Sequence, residues 1–289
     1  MAVIGLGRMG GAMAATLRRA GWDLVLWNRS EAKARQIGDE LESPVAASAA
    51  DAAQRADFVL TSLADDAAVT NVYLGPGGIV EGIEAGTVAI ETSTVDPDTS
   101  TRVGAAVDET GAGFLDCPVS GSVSTVQAGT LTIMVGGGDA LLERARPVLE
   151  PLAAHIIPVG PRGAGAATKL AVNGLVHGLN VALSEALVLA EKAGVDRATA
   201  YSVFASGAGG APFVHYKREA YEHPDTTPVA FSLDLVAKDL ELITGLGARV
   251  GAPMRQAMTG LDLVRRAVEH GLGDRDLSAL AVFLREGEL

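Results

Sequence analysis

Six residues near the start of the chain have the spacing G-x-G-x-x-G, namely Gly5, Leu6, Gly7, Arg8, Met9 and Gly10. They follow a short apolar run that predicts a first strand, and they open a segment with helical periodicity. In this setting the glycines permit a tight turn, close approach of a pyrophosphate to backbone N–H groups, and tight packing of helix on strand. The pattern predicts that these six residues bind a dinucleotide.

The second predicted strand ends in Asn28, Arg29 and Ser30. A site for NAD usually has Asp or Glu here, about 20 residues after the glycines, to accept a hydrogen bond from the ribose 2′-OH. No carboxylate occupies this position, and the Arg29 guanidinium can pair with a 2′-phosphate. We therefore predict NADP in preference to NAD. The alternative is that Arg29 is a solvated residue before a helix that Ser30 caps.

The segment 164–193 predicts one long helix of about 45 Å. Six polar side chains fall within roughly 80° of one another on it, at about 100° per residue. They are Lys169, Asn173, His177, Asn180, Ser184 and Glu191. We expect a helix buried on several sides that exposes one narrow polar stripe. The stripe is either a solvated face or, because it begins near the predicted domain junction, part of a functional site.

The chain divides into two sequence patterns. Up to about residue 160, short apolar runs alternate with helical segments, which is typical of an α/β domain with a doubly wound parallel sheet. After Gly160 only helical patterns follow, at 164–193, 196–206, 212–222, 233–248, 253–271 and 275–285. We predict a Rossmann-type dinucleotide-binding domain over 1–161 and an all-α substrate and dimerisation domain over 162–289.

Composition excludes several classes of protein. The 289 residues carry a net charge of −12 and only 4% aromatic residues, which argues against nucleic-acid binding. The single cysteine excludes an intrachain disulfide, and five histidines without i,i+4 pairing predict no metal site. The polar residues within 164–190 argue against a membrane span, and no signal peptide is visible. We expect a cytoplasmic enzyme.

Three further segments resemble the β-hydroxyacid dehydrogenase family, which includes 3-hydroxyisobutyrate dehydrogenase, tartronate semialdehyde reductase and the glyoxylate/succinic semialdehyde reductases. The segment from Asp116 to Ser122, continuing through 127–131, resembles the family's substrate-binding signature. The segment from Gly160 to Asn173 resembles its catalytic segment, and Phe231 to Leu240 resembles a third signature. With the glycine motif, the resemblance covers about residues 3–285.

The resemblance implies roles for individual residues. Lys169 would be the general acid that protonates a carbonyl oxygen as hydride reaches its carbon, and the base in the reverse direction. Asn173 would orient the substrate or the lysine.

The substrate carboxylate would be held by backbone N–H groups and hydroxyls at Ser120, Gly121 and Ser122. Cofactor contacts are further implied at Leu63, Ala64, Thr94 and Lys238; Lys238 would also contact substrate, with Asp239 as its structural partner.

Three positions depart from the family pattern. Ser122 replaces a second glycine, Cys117 replaces a common alanine, and Ala64 replaces a usual proline. The first two flank the predicted carboxylate pocket, so they put the identity of the substrate in doubt, not the reaction type. Cys117 itself is most simply a small buried residue.

The resemblance implies an NADP-dependent oxidoreductase that interconverts a small β-hydroxyacid and its semialdehyde, or reduces glyoxylate or succinic semialdehyde. One alternative is an imine reductase, although those enzymes generally lack lysine at the position of Lys169. The other is a non-catalytic dinucleotide-binding scaffold, which would be expected to lose Lys169 or Asn173. The partners expected are a small carboxylate substrate and a second copy of the chain, in a homodimer or higher oligomer.

Overall fold

The computed structural model describes residues 1–287. The chain divides into two compact units, one from Met1 to Lys169 and the other from Leu170 onward. The division falls inside one long helix, a few residues after the boundary predicted between 161 and 162. Each unit has its own hydrophobic core, so the two are described separately.

In its described residues the first unit contains one sheet of eight strands. They are β1 (Ala2–Ile4), β2 (Val25–Trp27), β3 (Phe58–Thr61), β4 (Val88–Glu91), β5 (Gly113–Asp116), β6 (Val119–Ser120), β7 (Leu131–Gly136) and β8 (Ala153–Gly160). The first five are parallel, in the spatial order β2, β1, β3, β4, β5. The strand order therefore reverses at β1, and the carboxyl edge of such a reversal is where α/β sheets bind ligands.

The helices of this unit cover both faces of the sheet. They are α1 (Arg8–Arg19), α2 (Glu31–Leu41), α3 (Ala49–Gln54), α4 (Asp66–Leu74), α5 (Ile79–Gly82), α6 (Pro97–Glu109), α7 (Val123–Gln127) and α8 (Asp139–Leu149). Alternate residues of β1 enter different cores, with Val3 in one cluster and Ala2 and Ile4 in the other. This two-sided burial explains why the strands read as nearly continuous apolar runs. The predicted doubly wound architecture is confirmed.

The sheet is parallel from β1 to β5 and mixed beyond β5. Strand β7 runs antiparallel to β5 and β6, whereas β8 is parallel to β7. The connection from β6 to β7 contains only the short helix α7, and it reverses the chain direction as a hairpin does. A parallel neighbour would need a longer crossover.

The second unit is all-helical in its described residues. Its helices are α9 (Ala164–Lys192, shared with the first unit), α10 (Arg197–Ser206), α11 (Pro212–Tyr216), α12 (Arg218–Glu222), α13 (Leu233–Val250), α14 (Arg255–Ala267) and α15 (Ala279–Glu286). The single helix predicted over 212–222 is two, because the chain breaks at Lys217, whose ammonium group turns inward to Asp276. The helix predicted from 275 begins only at Ala279, because Asp276 accepts backbone hydrogen bonds in the preceding loop.

The polar side chains of α9 correct another expectation. The stripe was predicted to be exposed, but Asn173, His177, Asn180 and Ser184 are buried. Each has partners within the helical unit; Asn180, for example, donates to the Leu277 carbonyl and accepts from the Tyr221 hydroxyl. By length and composition, α9 could cross a membrane. In this structure 44% of its most apolar 18-residue stretch is buried. It therefore serves as a core helix in this fold.

Candidate active site

The glycine turn after β1 has the three properties that phosphate binding requires. Gly5 has φ +89°, and a Cβ there would lie 2.3 Å from the Ser62 carbonyl oxygen. A Cβ at Gly10 would lie 1.9 Å from the Gly5 carbonyl oxygen, so α1 packs directly on the strand end. A Cβ at Gly7 would meet nothing within 4 Å. There is thus no space for a side chain at Gly5 or Gly10, whereas the space beside Gly7 is empty. This arrangement fits a pyrophosphate.

Asn28 braces this turn from the end of β2. Its Oδ1 accepts the Leu6 N–H at 3.0 Å, and its Nδ2 donates to the Ser30 carbonyl at 3.2 Å. The side chain therefore joins the first two βα turns. The cofactor contact predicted for Asn28 stays a prediction, and the structure shows that Asn28 holds the glycine turn in shape.

Two cations lie at the start of α2. Arg29 is exposed and has no hydrogen bond or ion pair within residues 1–287. Lys33, in the first turn of α2, is likewise exposed and unpaired across that range. Ser30 is the N-cap residue, but its hydroxyl makes no capping bond. The sequence analysis did not single out Lys33, which lies three residues after the N-cap and therefore at the same end of α2 as Arg29.

A buried carboxyl group joins the loops that follow β3 and β4. Glu91 accepts the Ser93 N–H at 2.7 Å and the Thr61 hydroxyl at 2.5 Å. The Ser93 hydroxyl in turn accepts the Leu63 N–H at 2.8 Å. Burial raises the pKa of Glu91, although these hydrogen bonds oppose the shift. The network holds together the two segments that contain the predicted contacts Leu63, Ala64 and Thr94, and the sequence did not single out Glu91.

The predicted carboxylate-binding segment forms a tight corner between β6 and α7. Gly121 has φ +145°, and a Cβ there would lie 2.3 Å from the Thr125 hydroxyl oxygen. The Ser122 N–H donates to that hydroxyl at 2.7 Å, in a capping box at the start of α7. The Ser122 N–H is thus already used, whereas the Ser120 hydroxyl has no partner within the described part of the chain. Of the residues in this corner, Ser120 has the side chain best able to bind a ligand.

Cys117 is fully buried beside this corner. Burial raises the pKa of its thiol well above the usual range, and the charges of Asp116 and Glu91 add to the effect. A neutral, buried thiol is a poor nucleophile. The interpretation of Cys117 as a small packing residue is confirmed.

Lys169 lies in the second turn of α9 and is partly buried. The helix follows Gly163, which has φ +88°. Asn173 follows one turn later along the same helix, so the predicted i,i+4 relation holds. Their roles in chemistry remain predictions.

Within the helical unit, Asn173 belongs to a buried cluster around Asp239. The Asn173 Nδ2 donates to Asp239 Oδ2 at 2.6 Å, and His177 Nε2 lies 3.3 Å from the same oxygen. Lys238 Nζ lies 2.9 Å from Asp239 Oδ1. Burial raises the pKa of Asp239, but the His177 hydrogen bond and the Lys238 charge outweigh burial, so the pKa is lowered. An ionised carboxylate only accepts, so it orients the Asn173 amide and leaves the Asn173 carbonyl oxygen for another donor.

Two family models together match almost the whole chain. Residues 1–160 match the model for the NAD binding domain of 6-phosphogluconate dehydrogenase. Residues 163–284 match the model described as NAD-binding of NADP-dependent 3-hydroxyisobutyrate dehydrogenase. The chain belongs to the 3-hydroxyisobutyrate dehydrogenase family. It is an NAD(P)-dependent dehydrogenase that acts on CH–OH groups, as the resemblance of its motifs implied.

Family members of known activity are similar over nearly their full length. The chain is 34% identical to 2-(hydroxymethyl)glutarate dehydrogenase of Eubacterium barkeri, covering 96% of this chain and 92% of that protein. It is 33% identical to glyoxylate/succinic semialdehyde reductase 1 of Arabidopsis thaliana, covering 96% and 95%. The structure of Mycobacterium tuberculosis 3-hydroxyisobutyrate dehydrogenase with L-serine has TM-score 0.86 and 33% identity, covering 98% of each chain.

Proposed function

We propose that this enzyme uses NADP to interconvert a small β-hydroxyacid and its semialdehyde, or to reduce glyoxylate or succinic semialdehyde, with Lys169 as the acid–base group. The observation that carries the proposal is the presence of Lys169 one helical turn before Asn173 on α9, within the segment that resembles the family's catalytic segment. Arg29 and Lys33, which have no ion-pair partner within residues 1–287, support NADP.

Lys169, Asn173 and Ser120 have separate roles in the proposed reaction. The nicotinamide cofactor, when bound, supplies or accepts hydride. The Lys169 ammonium donates a proton to the carbonyl oxygen during reduction and recovers it from the alcohol during oxidation. The Asn173 carbonyl oxygen, oriented by Asp239, accepts a hydrogen bond from Lys169 or from a substrate hydroxyl. Ser120 donates to the substrate carboxylate.

The relatives' names narrow the class of substrate. 2-(Hydroxymethyl)glutarate, 3-hydroxyisobutyrate and L-serine are all carboxylates with a hydroxymethyl group on the α-carbon, and they differ in the third substituent. Glyoxylate and succinic semialdehyde combine an aldehyde with a carboxylate. A short carboxylate bearing an aldehyde or a hydroxymethyl group is therefore the substrate class that we propose.

Steady-state NADPH oxidation with four compounds tests this proposal. The compounds are glyoxylate, succinic semialdehyde, methylmalonate semialdehyde and tartronate semialdehyde. We expect turnover with at least one of them, with a KM in the usual range of about 1 μM to 1 mM. Propionaldehyde, which lacks the carboxylate, is the matched control and should be a poor substrate. Equal turnover of propionaldehyde, or no turnover of any of the four compounds, would contradict the proposal.

Replacing Arg29 with Ala should remove most of the preference for NADPH. We expect the wild-type enzyme to prefer NADPH over NADH by at least about tenfold in kcat/KM, which corresponds to about 1.4 kcal/mol. R29A should weaken use of NADPH and leave use of NADH nearly unchanged, because only NADPH carries the 2′-phosphate.

The control for Arg29 is Arg35→Ala on the same helix, because Arg35 is exposed and already paired with Glu31. R35A should change the kinetics with neither cofactor. Equal losses with NADPH and NADH in R29A would show that Arg29 supports the fold and does not distinguish the cofactors.

The chain should form a homodimer or a higher homo-oligomer through α9. Leu175 and Leu189 on this helix are 68% and 73% exposed in the single chain, and burying such side chains is favourable. Sedimentation at micromolar concentration should show at least twice the chain mass of 29.5 kDa. Leu189→Glu should weaken the assembly, whereas Leu74→Glu in the first unit should not. A wild-type monomer would rule the assembly out.

A further inference from the structure

The long helix α9 begins without a capping residue of its own. Gly160, Pro161, Arg162 and Gly163 precede it, and none of these residues has the short oxygen-bearing side chain that N-caps prefer. The first intrahelical bond runs from the Ala167 N–H to the Gly163 carbonyl. The Ala164 N–H donates to the Pro161 carbonyl at 2.9 Å, and the other backbone N–H groups before Ala167 need acceptors from elsewhere in the chain.

Asp116, at the carboxyl end of β5, supplies these acceptors. Its Oδ1 accepts the Gly163 N–H at 3.1 Å and its Oδ2 accepts the Ala166 N–H at 2.9 Å. Burial raises the pKa of Asp116, and these N–H groups oppose the shift. The carboxylate thus lies at the positive end of the helix dipole, which favours it.

Two glycines make room for this arrangement. A Cβ at Gly136 would lie 2.2 Å from Asp116 Oδ1. A Cβ at Gly165 would lie 2.6 Å from the Asp116 carbonyl oxygen and 2.9 Å from the Met134 carbonyl oxygen. The first turn of α9 therefore rests directly on the backbones of β5 and β7. The distance between this turn and the sheet is set by backbone atoms, which cannot shift without a large cost in free energy.

We infer that Asp116 is the positioning residue for Lys169. Lys169 follows Ala166 by three residues, less than one helical turn, so the carboxylate that fixes the first turn also fixes the height and rotation of the lysine. Asp116 also begins the segment that leads to Ser120, and it therefore joins the proposed carboxylate-binding corner to the proposed acid. The inference rests on the proposed function of Lys169.

The test replaces Asp116 with Asn and with Ala and measures kcat, NADPH affinity and hydrogen exchange. Asn keeps one acceptor oxygen but presents its amide N–H groups to the other donor, and Ala removes both acceptors. We expect kcat to fall about tenfold for D116N and about a hundredfold for D116A, the cost of a misplacement of about 1 Å. NADPH affinity should stay within about threefold, because the glycine turn belongs to β1. Amides 163–168 should exchange faster, whereas those of 175–190 should not.

A second variant approaches the same contact from the helix. Gly165→Ala should lower kcat in the same way with NADPH affinity kept, because its Cβ must push the first turn away from β5. The matched control is Asp196→Ala, since Asp196 caps α10 by accepting the Thr199 N–H at 3.0 Å and α10 carries no proposed site residue. D196A should leave kcat unchanged.

Lys169→Ala, measured alongside, separates the two proposals. If K169A is inactive while D116N and G165A keep wild-type kcat, the proposed role of Lys169 as the acid is supported and the positioning role of Asp116 is overturned. If kcat and NADPH affinity fall together in D116N and G165A, Asp116 supports only the fold, and the inference is overturned. If K169A keeps more than a tenth of wild-type kcat, the proposed acid is wrong and the positioning role is overturned with it.

Discussion

Replacing Lys169 with Ala should lower kcat by about 10² to 10⁴, the usual contribution of a positioned general acid. In the proposed role the Lys169 ammonium group supplies the proton, and an alanine side chain has no group that can replace it. NADPH affinity should change little, because the phosphates are assigned to the turn from Gly5 to Gly10. Single-turnover NADPH oxidation with the best aldehyde of the panel measures the chemical step directly.

The control for this prediction is Lys169→Arg. Arginine keeps the positive charge but scarcely releases a proton, so K169R should not recover the lost rate. Recovery in K169R would show that charge alone is required and that proton transfer occurs elsewhere. An alanine variant with more than a tenth of wild-type kcat, when chemistry limits the rate, would remove Lys169 from the reaction.

Replacing Lys217 with Ala should destabilise the helical unit by about 3–5 kcal/mol, the cost of leaving one member of a buried ion pair alone. The side chains of Lys217 and Asp276 are each 6% exposed, and Nζ lies 2.9 and 2.8 Å from the two carboxylate oxygens. The carboxylate also accepts the N–H groups of Ala230 and Phe231, just before α13. Urea unfolding at neutral pH, followed by circular dichroism, measures the loss.

The stabilisation from this pair should depend on pH in a defined direction. Burial raises the pKa of Asp276, but the charge and hydrogen bonds of Lys217 outweigh burial, so the pKa lies below its ordinary value. A carboxyl group with a lowered folded-state pKa stabilises fully above its unfolded pKa, near 3.9, and loses that contribution as pH falls through the folded value. The difference in stability between wild type and K217A should therefore shrink below about pH 4.

The control for the buried pair is the surface pair of Arg265 and Glu241, whose side chains are both more than half exposed. Its N–O distance of 2.7 Å is as short as that of the buried pair. Because solvent screens exposed charges, Arg265→Ala should cost at most about 1 kcal/mol. Equal losses in R265A and K217A would show that burial does not determine the contribution of Lys217.

The features that the sequence by itself determined are those encoded within a few neighbouring residues. The glycine spacing from Gly5 to Gly10 specifies the turn, because positive φ at Gly5 and close backbone approach at Gly5 and Gly10 exclude other residues at these two positions. The absence of a carboxylate at Asn28 is likewise local, as is the four-residue spacing of Lys169 and Asn173. Apolar periodicity was sufficient to predict the alternation of strands and helices in the first unit, apart from the two-residue strand β6. It also predicted the helices of the second unit to within a few residues at most ends, apart from the break at Lys217.

Only the tertiary structure decided which side of α9 faces inward. By composition its polar stripe could be solvated, yet Asn173 and Asn180 are buried, whereas Leu175 and Leu189 are exposed. The buried amides are tolerated because Asp239 on α13 and the Leu277 carbonyl in the loop before α15 supply partners. A helical pattern records which residues share a face, but the partner that makes burial of a polar face possible lies far away in sequence.

The cap of α9 has the same physical origin. The nearby Pro161 carbonyl accepts the Ala164 N–H, but the acceptor for the N–H groups of Gly163 and Ala166 is Asp116, 47 residues before Gly163. The ion pair of Lys217 and Asp276 joins residues 59 apart. In each case a buried polar group needs a partner, and only the packing of distant segments determines which residue supplies it. Local spacing thus determined which residues can do the chemistry, and tertiary packing determined what holds them in place.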